Sequence, residues 1–316
     1  MATSATVGQL PLRPTSRPYL ALGLTFLLLG TGFSCPFKLV PQAPAHIWEG
    51  NISPEALNLY ALTAFAGWSH FVYAWRGQWI GSRKLSGRSR SLYWISVLGL
   101  LGVLLGLRTT LGVAVFSLAA WIYNIAHFVK AEIHFSGAHE KRTAFYSPVA
   151  AFTWFTVCIF RIGPLVNQNL VYAGTVLIAA GVLIFGGWRL LASGDVRLPL
   201  LTLFLLGETL VWASYSPSEA FRIGVYIFHI AAAGFYHYLT AYAYAESSTI
   251  LRRDILLRPL TILLLNVAIV LAGCAVGWLH PLRWLQPIMG VEWFTLWVAL
   301  HLAASDLMPW WKRHFA

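Results

Sequence analysis

Long apolar runs divide the sequence into segments that are each close to the length needed to cross a lipid bilayer. They lie at residues 19–35, 55–75, 92–107, 110–131, 145–162, 169–191, 198–214, 221–245, 257–279 and 289–309. Runs of about 17–25 apolar residues are typical of membrane-spanning helices. None of them shows the alternation of a membrane barrel strand. The pattern predicts an all-α, polytopic integral membrane bundle of about ten transmembrane helices, eight at the least.

The basic residues predict the orientation of this bundle. Only five of the 22 Lys and Arg residues lie on one side of the predicted helices: Lys38, Arg108, Arg161, Arg222 and Arg283. The other 17 lie on the opposite side, and Lys and Arg accumulate in cytoplasmic loops. We therefore expect a cytoplasmic N-terminal tail (1–18), one transmembrane domain (19–309) and a cytoplasmic C-terminal tail (310–316). The membrane is expected to be a bacterial inner (cytoplasmic) membrane or an equivalent one.

The composition agrees with a surface that faces lipid. Hydrophobic residues make up 58% of the chain and charged residues 10%, against about 25% charged residues in soluble domains. Membrane lipid is therefore the first expected partner. The net charge of +11 follows from the loops that set the orientation, and no nucleic-acid-binding motif accompanies it, so nucleic acid is not an expected partner.

Five histidines lie inside the predicted membrane helices: His70, His127, His229, His237 and His301. The predicted orientation makes their four helices parallel and places all five histidines between the bilayer midplane and the cytoplasmic interface. Ionisable residues at membrane depth usually have a function, and imidazole is a good ligand for Zn, Cu and Fe. The pattern predicts a shared metal site, although each histidine alone is also compatible with a hydrogen bond between helices.

Four further polar residues lie close to these histidines in the sequence. They are candidates for contacting the ligands of a bound metal ion rather than the ion itself. They are Asn124, Glu132, His134 and Asp306. Acidic side chains can orient a ligating imidazole by accepting its second N–H. Ion pairs of Glu132 and Asp306 with Lys130 and Lys312 are the alternative.

Aromatic residues follow the same helices. Trp121, Tyr226, Phe228 and Tyr238 are candidates for lining a tunnel that admits a hydrophobic small-molecule substrate. Packing in the core or against lipid is the alternative for each of them.

Three segments together resemble a known family. The segment 125–132 (IAHFVKAE) looks like the HFxxAD motif of the Brp/Blh carotenoid-cleaving membrane oxygenases. Residues 212–217 (WASYSP), followed by 226–229 (YIFH), resemble the W-Y-x-P and Y-F-x-F-I-H stretch of that family, and 301–306 (HLAASD) is similar to its PHxxxxD motif. With His70, which precedes His127 at a separation like that of the first histidine of the family, the resemblance spans about residues 70–310.

The resemblance implies a nonhaem Fe(II) ion held by histidines, and the O₂-dependent central cleavage of β-carotene to two retinals. It assigns no catalytic residue beyond the metal ligands. The chain departs from the family in two places: Gly and Asp are missing after His70, and Ala233 stands where the second histidine of an HxxxH pair is expected. His237 and His134 are the candidates to replace that ligand.

Two other functions are compatible with the same pattern. A non-enzymatic subunit that binds haem or a chlorophyll-type pigment would use single histidines as separate axial ligands. A transporter would use broken helices and an acidic residue near the midplane.

Overall fold

The computed structural model of the protein describes residues 17–44, 52–136, 219–247 and 258–315, and all regular structure in these ranges is helical. The α-helices are α1 (Arg17–Phe33), α2 (Pro54–Ser82), α3 (Gly87–Ser136), α4 (Glu219–Ser247), α5 (Pro259–Trp278), α6 (Gln286–Met289) and α7 (Phe294–Phe315). Two short 3₁₀ turns, His280–Leu285 and Val291–Trp293, flank α6. The predicted helices at 145–162, 169–191 and 198–214 lie outside the described residues.

Three segments of the described chain are long and apolar enough to cross a membrane: Gly87–Phe128, Pro259–Trp278 and His280–Phe315. This is fewer than the ten helices predicted from the sequence. Large apolar side chains are exposed along α5, among them Leu260, Leu263 and Leu271. A water-soluble protein rarely exposes a contiguous apolar face of this kind, so the helices are compatible with a membrane protein.

Helix α3 is interrupted at Gly112, whose φ of 78° and ψ of 158° are not helical. Glycine suits this position because an L-residue with a side chain rarely adopts such a conformation. Before the break, α3 runs antiparallel to α7. The Ser89 hydroxyl donates to the Phe315 carbonyl at 3.1 Å, whereas Arg108, near the other end, pairs with Glu292 at 3.3 Å.

After the break, α3 runs parallel to α7. The hydroxyls of Ser117 and Thr295 lie 2.8 Å apart near the start of both segments, and Lys130 donates to Asp306 at 2.6 Å near their ends. The chain therefore reverses its direction at Gly112 and holds α7 between two antiparallel halves. Two oppositely directed segments agree with the separate helices predicted at 92–107 and 110–131, and the break falls just inside the second.

Helix α2 also runs parallel to α7. The Tyr60 hydroxyl donates to the Val291 carbonyl at 3.4 Å, and the Gln78 amide donates to the Ser305 hydroxyl at 3.2 Å. The N-terminus of α2 is capped by Ser53, whose hydroxyl accepts a bond from the third residue after it, as in many helices.

Helix α4 runs parallel to α2. Gly234 lies against Thr63, and further along both helices the rings of Tyr73 and Tyr242 lie 5.2 Å apart. The helices can approach closely because small residues such as Ala61 and Ala231 are fully buried in the core between them. Helices α2, α4, α7 and the second half of α3 thus all share one direction, as the charge pattern predicts for the four helices that carry histidine.

Candidate metal centre

Four histidines from four different helices form a ring in the core. His70 on α2 lies next to His237 on α4 and His301 on α7, with ring centroids 4.9 Å and 5.4 Å apart. His127 on α3 closes the ring, because its centroid lies 5.1 Å from that of His237 and 5.5 Å from that of His301. The parallel directions of the helices produce this convergence, since each helix brings its histidine to the same level.

The spacing of the ring matches what a shared metal ion requires. Imidazole nitrogens bound at about 2.0–2.1 Å in a tetrahedral site place their ring centroids about 5 Å apart. The four measured separations are 4.9–5.5 Å. His70, His237 and His301 are buried, and His127 is partly buried, so the ring lies away from bulk solvent.

Several nitrogen atoms of these imidazoles have no hydrogen-bond partner in the described part of the chain. Within the described part of the chain, Nδ1 of His70 and both nitrogens of His301 are buried without a hydrogen-bond partner. A buried polar atom without a partner is costly, and a metal ion bound by the same nitrogen would remove that cost. The donor set therefore fits a metal ion in chemistry and in spacing.

The side chains are not arranged as a finished coordination sphere. Among the described residues, no group of three or more His, Cys, Asp or Glu side chains has the arrangement that holds a metal ion. Neighbouring rings of the four histidines meet edge to face, at 69–87° between their planes. Because the described side chains are not arranged to hold an ion, a common metal would require rotation of some imidazoles about their side-chain bonds.

His229 lies apart from the ring on the same helix as His237. It precedes His237 by two helical turns, which is about 12 Å along the axis of α4, and it is almost completely buried. The structure therefore brings together four of the five histidines predicted as ligands, and it places His237 rather than His229 in the ring.

Asp306 forms an ion pair beside the ring. Its carboxylate accepts a hydrogen bond from Lys130 at 2.6 Å and another from the Tyr123 hydroxyl at 2.5 Å. Of the two roles considered from the sequence, the ion pair is the one seen. Asn124 is buried one turn before His127 on the same helix.

The other two candidates for a supporting role, Glu132 and His134, lie in the last turns of α3. Their side chains are outside the described part of the structure, as is that of Tyr226 on α4.

The remaining tunnel candidates occupy different places. Trp121 is buried and lies 6.1 Å from the ring of Phe294, and Phe228 packs partly buried against the main core. Tyr238 instead stacks directly on His70, with centroids 5.1 Å apart. Trp121 and Phe228 therefore pack in the described core, whereas Tyr238 contacts a histidine of the ring.

Two further aromatic residues contact the ring, although the sequence did not predict a contact with a histidine for either. Phe71 lies 5.1 Å from His301 and Phe128 lies 4.8 Å from His237, measured between ring centroids. The available signal is local, because each directly follows a histidine in the sequence. Which histidine each one contacts depends on the neighbouring helix, and this is not encoded in the spacing.

Comparison of the chain with family models, with curated proteins and with solved structures finds no match.

Proposed function

We propose that this protein is a membrane-embedded nonhaem-iron oxygenase that acts on a carotenoid or a similar long apolar substrate. The observation that supports it best is the ring of four imidazoles contributed by four parallel helices. The residues that would hold Fe(II) are His70, His127, His237 and His301. Iron bound there would supply the activation of O₂ that carotenoid cleavage requires.

The protein residues around the ring have separate tasks in this proposal. The four helices fix the histidines at one depth, and the buried aromatic rings beside them keep bulk water away. A long apolar substrate would enter from the lipid, because the exposed faces of α3 and α5 are apolar. The product would also leave into the lipid, because a cleaved polyene is still apolar.

The proposal includes the finer topology. It holds that about ten helices span a bacterial inner membrane, or an equivalent one, as the single domain 19–309, with both tails in the cytoplasm. The bias of Lys and Arg residues toward one side of the predicted helices supports this orientation. The shared direction of the four helices that carry the ring supports it as well.

The convergence of the histidines favours an oxygenase over a pigment-binding subunit. Axial ligands of separate haems or chlorophyll-type pigments would each need a flat space on one side of the ring. Here each histidine of the ring lies within 5.5 Å of two others, measured between ring centroids. The ring is built from imidazoles, whereas a transporter would use an acidic residue near the midplane.

The test combines metal analysis with product analysis. The protein is purified from membranes of a strain that accumulates β-carotene, its iron content is measured, and apocarotenoids are separated by chromatography. We expect about one iron per chain and a carotenoid cleavage product. In His127→Ala we expect at least a tenfold loss of both, because removal of one metal ligand weakens the site more than the 10–100-fold typical of outer partners.

His280→Ala is the matched control, because His280 is exposed in the turn that follows α5, away from the ring. It should retain iron and product. Absence of metal from the wild-type protein, or equal activity of the two variants, would contradict the proposal.

A further inference from the structure

Three of the four histidines in the ring are followed directly by an aromatic residue. The dipeptides are His70–Phe71, His127–Phe128 and His237–Tyr238. Successive residues on a helix point about 100° apart, so an aromatic residue at this position is turned away from its own histidine and toward a neighbouring helix.

Each of these aromatic rings lies against the histidine of another helix. The pairs are Phe71 with His301 at 5.1 Å, Phe128 with His237 at 4.8 Å, and Tyr238 with His70 at 5.1 Å between centroids. The contacts therefore link α2 to α7, α3 to α4, and α4 to α2. Every link joins two helices that contribute to the ring.

These contacts between helices differ in geometry from the contact that each aromatic ring makes with the histidine directly before it in the sequence. The planes of the three cross-helix pairs are inclined by only 27–37°; the His70–Tyr238 pair is stacked and the other two are tilted. The same aromatic rings are inclined by 52–69° to the histidines that precede them, and the centroids are further apart, at 5.9–6.4 Å. The cross-helix contacts are thus the ones that restrict how an imidazole can turn.

The Tyr238 hydroxyl occupies space that Gly67 leaves open. A Cβ atom at Gly67 would lie 2.8 Å from the Tyr238 hydroxyl oxygen. Gly67 lies one turn before His70 on α2. The tyrosine therefore fits a narrow space that only small residues leave open, with its ring over His70.

We propose that Phe71, Phe128 and Tyr238 are positioning residues, each of which sets the orientation of the metal-binding histidine on a neighbouring helix. The inference rests on the proposed function, because it assigns these rings a task only if the histidines hold a metal. The four histidines are not arranged to hold an ion as they stand, so metal binding depends on how each imidazole turns. An aromatic face packed on one side limits that rotation.

The experiment uses Co²⁺ as the probe with the full-length protein purified in detergent and stripped of metal. The visible absorption of bound Co²⁺ reports the geometry of its ligands, and the rise in melting temperature on adding Co²⁺ reports binding to the folded state. Tyr238→Leu and Phe128→Leu are compared with wild type. We expect about tenfold weaker Co²⁺ binding in each, with an altered visible spectrum, as for other residues that orient metal ligands.

Two controls separate positioning from packing. Tyr238→Phe keeps the ring over His70 and should bind Co²⁺ within about twofold of wild type. Phe235→Leu removes an equally buried aromatic ring of α4 that makes no described ring contact with a histidine. It should lower the melting temperature of the metal-free protein as much as Tyr238→Leu does, yet retain the full rise on adding Co²⁺.

The outcomes distinguish this inference from the proposed function. If wild type binds Co²⁺ and Tyr238→Leu and Phe128→Leu bind it equally well, the positioning role is wrong and the metal site stands. If Phe235→Leu loses as much affinity as Tyr238→Leu, the effect is general packing and the inference also fails. If wild type binds neither Co²⁺ nor Fe²⁺, both proposals fail.

Discussion

At the scale of single residues, His229 and His237 on α4 are both candidates for one position in the ring. His229 is a candidate because the segment 226–229 resembles a motif of the carotenoid-cleaving oxygenases, whereas His237 is the one that lies within 5.1 Å of His70 and His127 between ring centroids. Eight residues separate the two, which turns them about 80° apart around the helix. That offset is small enough that the sequence alone leaves both as candidates.

The two α4 histidines should respond differently to substitution by glutamine, which keeps a polar side chain of similar length. We expect His237→Gln to lose most of the bound metal, because it removes a donor from the ring. His229→Gln should retain about one metal per chain, measured by elemental analysis of purified protein. The opposite result would show that the motif rather than the geometry of the ring identifies the ligand.

At the scale of elements, the reversal of α3 at Gly112 determines which side of α7 each half contacts. The two halves together are 50 residues long, or about 75 Å as one straight helix. This is more than twice the hydrocarbon thickness of a bilayer. The break therefore lets the second half run parallel to α7 and bring His127 to His301.

Gly112→Ala should destabilise the protein by about 1–3 kcal/mol, the usual cost of placing a non-glycine residue in this backbone region. Gly102→Ala is the matched control. It lies in the helical part of α3 with open space where the alanine Cβ would lie, and alanine is a better helix former than glycine. Thermal unfolding in detergent should give a lower midpoint for the first variant only; equal midpoints would exclude a special role for the break.

The sequence could predict the elements better than the contacts between them. Apolar length and charge bias predicted the helices that carry His70, His127, His237 and His301, and also that these helices are parallel. A shared level for the histidines followed from that direction. The choice of His237, the ion pair of Asp306 with Lys130, and the aromatic contacts all depend on rotation of one helix against another, which periodicity in a single segment does not specify.

At the scale of the whole molecule, the position of the loops relative to the membrane decides where the ring lies. The loop between α2 and α3 contains Arg83 and Lys84, whereas the turn after α5 exposes Trp284 at 71% of its surface. Basic loops favour the cytoplasmic side, whereas tryptophan is enriched at both membrane interfaces and indicates only that the turn lies near one of them. The ring would then lie in the cytoplasmic half of the bilayer.

Single cysteines in a background without Cys35, Cys158 and Cys274 test this orientation. Trp284→Cys should react with a membrane-impermeant maleimide in cells whose outer face is accessible. Lys84→Cys should react only after the membrane is opened. Labelling of Lys84→Cys in closed cells would show that the predicted topology is inverted, whereas the helix packing described above would still hold.

The packing of α7 between the two halves of α3 has a consequence for the assembly of the protein. Of the four helices that form the ring, α7 is the last to be synthesised, and His301 lies on it. Because chains are made from the N-terminus onward, His70, His127 and His237 are synthesised before His301. The ring of four histidines therefore closes only after α7 has been made, and under the proposed function metal binding would follow the synthesis of α7.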